Sequence, residues 1–392
     1  MKFSDITLED KKHEALELIH SFSKNIIANI DTKLKEKNVK AIEAPYVDLM
    51  VESYFSVQAF CVLTKEGLVS SATAIIRIIL EQVSICYLLS KNKTAKEEFI
   101  RIKQEQNKYY LASDSEKDAI KNQICSSNGI KEHKLKQYFD YGWYKTAGCK
   151  AMNLKSICEA SRTKHIYDMV DVVINGFVHG QRSIYQFRRQ NNGLDYRFLS
   201  NLYRYLFDLF FFLVSATVEE YGENVIGDGN KKIYSMVKAL YMDIKARQAE
   251  EDLLSRIKSK ERIGDDINQY YELIYNILFM LDKADDKREK YLLSQAYLRL
   301  SKQVIVISSL IAANKTGSYD IDTLETVPLY KKYKNVFDKY NANLVIPLPK
   351  LLEMIDIADD DWGLGEHDID YAFTFSINTL LETIRNEIKK DN

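Results

Sequence analysis

The sequence predicts an all-α fold, and three observations predict it. Only four prolines occur in 392 residues, Pro45, Pro328, Pro347 and Pro349, so the chain between Pro45 and Pro328 meets no obligatory helix breaker. Few runs alternate in polarity as a half-buried strand requires. Apolar residues recur instead at helical spacing, as in Leu16, Ile19, Phe22, Ile26, Ile30 and Leu34. The architecture expected is a buried helical bundle with an internal polar stripe, plus a second helical domain.

Residues 5–38 read as the first amphipathic helix, with Lys33, Lys35 and Lys37 suited to the negative end of its dipole. Pro45 opens a second, nearly uniformly apolar helix over 46–64, which carries Asp48 and Glu52 on one line and stops before Gly67. The central helix spans 68–90, LVSSATAIIRIILEQVSICYLLS. It is apolar on almost every side, which predicts enclosure by neighbours all round. Its exceptions, Ser70, Thr73, Arg77, Glu81 and Ser84, fall three and four residues apart and so form one polar stripe. A buried guanidinium and a buried carboxylate each need a partner, so another element must face them.

Residues 91–135 are polar and lysine-rich and read as an exposed, partly mobile insertion, broken by the loop Ser-Ser-Asn-Gly at 126–129. GWYKTAG at 142–148 is a glycine-bracketed turn holding Trp143, followed by a short helix from Leu154 to Cys158. The helix HIYDMVDVVINGFVHGQRS at 165–183 carries a second stripe: Asp168, Asp171, Asn175, His179 and Arg182 lie within about 60° on one face. A basic loop over 183–197 precedes a Phe- and Leu-rich helix to Tyr221, on which Asn201, Arg204, Asp208 and Ser215 share a face. Three glycines in YGENVIGDGNK at 221–231 mark the expected boundary between a first domain, 1–222, and a helical accessory domain, 231–392. The accessory domain is expected to hold helices near 232–258, 264–283 and 285–314, an irregular segment at 316–350 and a last helix at 369–389.

The formal net charge of −1 excludes a global basic field that recruits nucleic acid or an anionic membrane, and leaves a local patch to be located. Five cysteines, odd in number and never spaced C-x-x-C, argue against a disulfide framework or a zinc knuckle. They read as small core residues in a reducing cytoplasm. The first 20 residues are too charged for the apolar centre of a signal peptide. Residues 68–90 carry Arg77, Glu81 and Gln82 at their middle, and the shorter apolar run 205–218 carries Asp208, so both read as buried core with no stable membrane insertion. The localisation expected is cytoplasmic.

Four apolar helices therefore contribute polar lines: Glu52 from one, Arg77 and Glu81 from the next, Asp168, Asp171, Asn175 and His179 from the third, Arg204 and Asp208 from the fourth. In an antiparallel bundle these lines are expected to converge in the interior. Two readings follow. The cluster is either a set of ion pairs fixing helix register, with Arg77 against Glu52 or Asp208 and His179 as a hydrogen-bonded core residue, or a functional site built from perturbed titrating groups. No Glu-x-x-His signature occurs on these four apolar helices, and one histidine alone accompanies Asp168 and Asp171, so no metal is expected. A glycine-flanked nucleophile turn and the phosphate loop G-x-x-x-x-G-K are both missing, and no cofactor is expected.

The R-x-x-x-E of Arg77 and Glu81 within IIRIILEQVSICYLL, the linker tryptophan Trp143, and a later helix ending INGFVHGQ with Val178, His179 and Gly180 resemble a bacterial family of uncharacterised all-helical proteins. The resemblance covers about 45 to 220. That family is distantly similar to HEPN domains, helical bundles that act as metal-independent ribonucleases in toxin and phage-defence systems, often as dimers. The resemblance implies RNA as substrate, a homodimer, a protein partner encoded in the same operon, and His179 as the proton-transfer residue. HEPN nucleases place an arginine before that histidine with four to six residues between them, and here the corresponding positions are Val172, Val173 and Ile174. The arginine must come from Arg77 or Arg182, with Glu81 orienting a neighbour and Asn175 as an auxiliary polar group. The alternative expectation is a non-catalytic helical module that recognises a protein partner or a small ligand.

Overall fold

The computed structural model describes residues 8–37, 44–171, 196–258, 267–297, 299–300 and 303, and every element among them is helical. The all-α expectation holds. The helices are α1 (Leu8–Lys37), α2 (Ala44–Lys65), α3 (Val69–Ser90), α4 (Lys93–Leu111), α5 (Asp114–Asn128), α6 (Leu135–Tyr141), α7 (Leu154–Ala160) and α8 (Lys164–Met169). After an undescribed stretch come α9 (Tyr196–Tyr221), α10 (Asp228–Lys258) and α11 (Ile267–Leu281), and the chain is helical again over 287–297. The segments expected at 183–195, 316–350 and 369–389 lie outside the described residues.

The chain divides into two compact units, one made of residues 16–234 and the other of residues 1–15 and 235–392. Helices α1 and α10 each contribute to both.

In the unit 16–234, α3 packs against α2 and α9. Ile76, Ile79, Leu80, Val83, Cys86 and Leu89 lose all contact with solvent, and burial of each large aliphatic side chain contributes about 1.5–3 kcal/mol. The first helix supplies Ile19, Phe22, Ile26 and Ile30, all fully buried, and the Phe22 ring meets Phe210 edge-on at 5.2 Å. Gly67, at φ +71°, ends α2 in a left-handed turn that a side chain would strain, and the Leu68 N–H closes the turn on the Leu63 carbonyl at 2.8 Å. Enclosure of the two apolar helices is one-sided, however. Phe55 and Val62 on α2 and Ile78 on α3 are each close to half exposed. Both α2 and Ser70–Ser90 are long and apolar enough to cross a membrane, with 39% and 56% of the relevant stretch buried.

Residues 91–135 are mostly exposed, but one face of them is buried. They form two helices, and α4 buries Ala95, Phe99, Ile100 and Ile102, with the Phe99 ring edge-on to Trp143 at 5.9 Å. Polar composition concealed this face, because Phe99, Ile100 and Ile102 are diluted by Glu98 and Arg101. Those two pair with each other at 2.6 Å on the outer surface, and Arg101 also reaches Glu105, Asn128 and the Tyr138 hydroxyl.

In the other unit, Lys11 and Asp243 form an ion pair at 2.7 Å, both almost completely buried, and the Arg247 Nε also donates to Asp243 Oδ2 at 3.1 Å. Burial lowers the Lys11 pKa, and the facing Asp243 carboxylate offsets that shift. Gln303 Nε2 bonds the Ala246 carbonyl, and Arg288 pairs with Glu14.

Candidate functional site

The polar stripe on α3 resolves into neutral and charged parts. Thr73 and Ser84 are fully buried, Ser70 is exposed, and Arg77 and Glu81 are half-buried. The buried end is satisfied by hydroxyls: Ser84 Oγ lies 2.7 Å from Thr163 Oγ1, which lies 2.9 Å from Ser161 Oγ. Neutral groups with hydrogen-bond partners cost little to bury, whereas a charge does not. The two charges accordingly stand where the bundle opens.

That opening is a cavity of about 350 Å³, lined by Arg77 of α3, Gln137 and Tyr141 of α6, Asn153 and Lys155 at the start of α7, and Tyr167 and Asp171 of α8 and the turn after it. The volume is at the small end of ligand pockets. The Tyr141 hydroxyl donates to Glu81 Oε1 at 2.6 Å. Burial, reinforced by Glu81, raises the Tyr141 pKa well above the ordinary tyrosine value. Tyr167 is raised too, by burial first and then by Asp171, to which it is hydrogen-bonded. Arg77 opposes both shifts, so its charge is felt by the two phenols from across the cavity. Among the described residues the charged side chains of the lining are Arg77, Lys155 and Asp171, and the Glu81 carboxylate lies directly behind Tyr141.

Local structure fixes these walls. A Cβ at Gly142 would lie 2.5 Å from the Tyr138 ring and 2.9 Å from Ile102 Cδ1, so only glycine lets the chain pass there directly after Tyr141. Trp143 is fully buried and its indole N–H donates to the Asp140 carbonyl at 3.2 Å. Lys103 Nζ crosses from α4 to the Phe139 carbonyl at 2.9 Å. Asn153 caps α7, its Oδ1 accepting the Ser156 N–H, and Ser156 Oγ in turn accepts the N–H groups of Lys150 and Ala151.

Of the residues singled out in the sequence, the structure places Arg77 and Asp171 on one cavity with Glu81 directly behind Tyr141. Others do not converge. Glu52 and Arg204 are exposed, Asp168 is held at the surface by Lys164 at 2.8 Å, and Asp208 stands 3.6 Å from His165. Asn175, His179 and Arg182 lie outside the described residues. Sequence patterning missed Tyr141, Tyr167, Asn153 and Lys155. Tyr167 is four residues before Asp171 and so lay on the marked face, but phenols were not counted among the polar groups.

All five cysteines are reduced and buried, and desolvation pushes the Cys86 thiol up to about 12. Among the described residues no group of three His, Cys, Asp or Glu is arranged to hold a metal ion.

Fold and site together define an all-helical protein with a half-open, cation-bearing pocket at the edge of its bundle. Residues 43–195, which include α2 to α8, match a family of unknown function, DUF5677. No curated protein and no solved structure matches the chain.

Proposed function

We propose that the chain is a cytoplasmic bacterial conflict protein of the anti-phage or toxin type, whose HEPN-like bundle binds and cleaves RNA without a metal ion and works as a homodimer beside an operon-encoded partner. The observation that supports the reading is the sharing of one cavity by Arg77, Tyr141, Tyr167 and Asp171. His179 follows Asp171 by eight residues in the sequence.

The chemistry follows from these groups. The ribose 2′-hydroxyl attacks the adjacent phosphorus, the 5′-oxygen leaves, and a 2′,3′-cyclic phosphate forms. His179 takes the 2′-proton, water protonates the leaving 5′-oxygen, and Arg77 neutralises the charge that grows on the phosphorane. Arg182 is the second cation near His179 in sequence. Glu81 holds Tyr141 and thereby one wall.

A second reading, a non-catalytic module that binds a small anionic ligand, is favoured by the engagement of Glu81 with Tyr141, which leaves that carboxylate committed to position. End-labelled RNA incubated with the full chain in EDTA separates the two. Wild type yields cyclic-phosphate ends, and His179→Ala abolishes them without changing the melting curve. Equal cleavage by His179→Ala contradicts the enzyme reading, and its absence from both leaves the binding module.

A further inference from the structure

The part of the chain that supplies most of the cavity wall is richer in cations than the chain as a whole. Residues 131–171, which supply the wall from Gln137 to Asp171, carry eight lysines and arginines against five acidic residues, in a chain whose total is −1. All eight basic residues are exposed. Of the acids, Glu132 lies 3.4 Å from Lys121 and Asp140 acts on Lys103, both outside the stretch, whereas Asp168 and Glu159 act on Lys164 within it and Asp171 lines the cavity.

This stretch also supplies the cavity wall at Gln137, Tyr141, Asn153 and Lys155. Two of its lysines stand at that wall, and the backbone of a third is held in the adjoining loop. Lys155 lines the cavity, Lys134 Nζ lies 3.1 Å from Gln137 Oε1, and Lys150 is anchored through its backbone N–H to Ser156 Oγ, beside the Asn153 cap. From this arrangement we infer that Lys134, Lys150 and Lys155 form a rim that carries the backbone of a single-stranded RNA and delivers one nucleotide into the cavity, its base against Tyr141 and Tyr167.

Three physical points select this ligand. Exposed cations in series match a chain of phosphates, whereas Arg77 alone would hold an isolated anion. Aromatic walls bind any base face without reading sequence, and an unpaired base alone presents one. A cavity of about 350 Å³ admits a single nucleotide and excludes a duplex.

The inference rests on the cavity being an RNA site, and it does not require cleavage. Fluorescence anisotropy of a labelled 2′-O-methyl 12-mer, which resists cleavage, measures binding by the full chain across a salt series. Affinity should fall with salt, and Lys134→Ala/Lys150→Ala/Lys155→Ala should reduce the log–log slope by about 2. Tyr167→Leu should weaken binding about tenfold with the slope unchanged. A duplex of the same sequence and phosphatidylglycerol vesicles should compete poorly. No binding, a slope unaffected by the triple variant, or full competition by duplex or vesicles overturns the inference. Binding with the expected slopes but no cleavage of unmodified RNA removes the enzyme reading alone, and cleavage with an unaltered slope removes the rim alone.

Discussion

Tyr141 and Glu81, sixty residues apart in sequence, are joined by a 2.6 Å hydrogen bond that ties α6 to the charged centre of the α3 stripe. The bond holds a phenol at the cavity wall and gives a half-buried carboxylate a donor. Tyr141→Phe should therefore lower stability by about 1–2 kcal/mol, measured by urea unfolding, because the charged acceptor loses its partner. Glu81→Gln retains an acceptor and should cost less. Equal stability of Tyr141→Phe and wild type would mean that the bond does not persist in solution.

Gly142 makes a second expectation. Its missing Cβ leaves room for the Tyr138 ring at 2.5 Å, and Tyr138 is itself bound to Arg101 and Glu105. Gly142→Ala should cost about 1–3 kcal/mol through overpacking. A thermal melt reports it, and an unchanged melt would show that the Tyr138 ring moves aside freely.

How much of this was legible in the sequence depends on what each residue's role rests on. The helices were legible because periodicity and proline placement act locally, and α2, α3, α9 and α10 begin and end within a few residues of their expected limits. The α3 stripe was legible as a line of polar residues, but its division into a buried hydroxyl end and an open charged centre was not. That division depends on Thr163 arriving from another element to meet Ser84. Convergence failed for Glu52 because α2 is covered on one side only, which leaves Phe55 and Glu52 both exposed. Sequence spacing on one helix specifies a face and carries no information on which neighbour covers it.

Glu289 should make the stability of its unit depend on pH. It is buried, and desolvation, with Asp286 and Asp285 adding to it, raises its pKa from 4.5 to about 7. The folded state then holds a proton that the unfolded chain has released, so stability falls as pH rises from about 4.5 to 7, by on the order of 3 kcal/mol. Glu289→Gln should flatten the melting temperature across that window and raise it at pH 8. A wild-type profile that rises with pH there would reverse the sign of the effect.

Arg77 decides between a functional pocket and a structural ion pair. Because it is half-buried at the mouth of an open cavity, Arg77→Ala should melt within about 1 kcal/mol of wild type, since solvent screens such a charge. RNA cleavage should nevertheless fall by about a hundredfold or more, as expected for loss of a group that stabilises transition-state charge. The most direct measurement is RNA cleavage per folded molecule for Arg77→Ala beside its unfolding free energy. Intact stability with cleavage lost is the result expected; a loss of several kcal/mol with cleavage per folded molecule unchanged would contradict it.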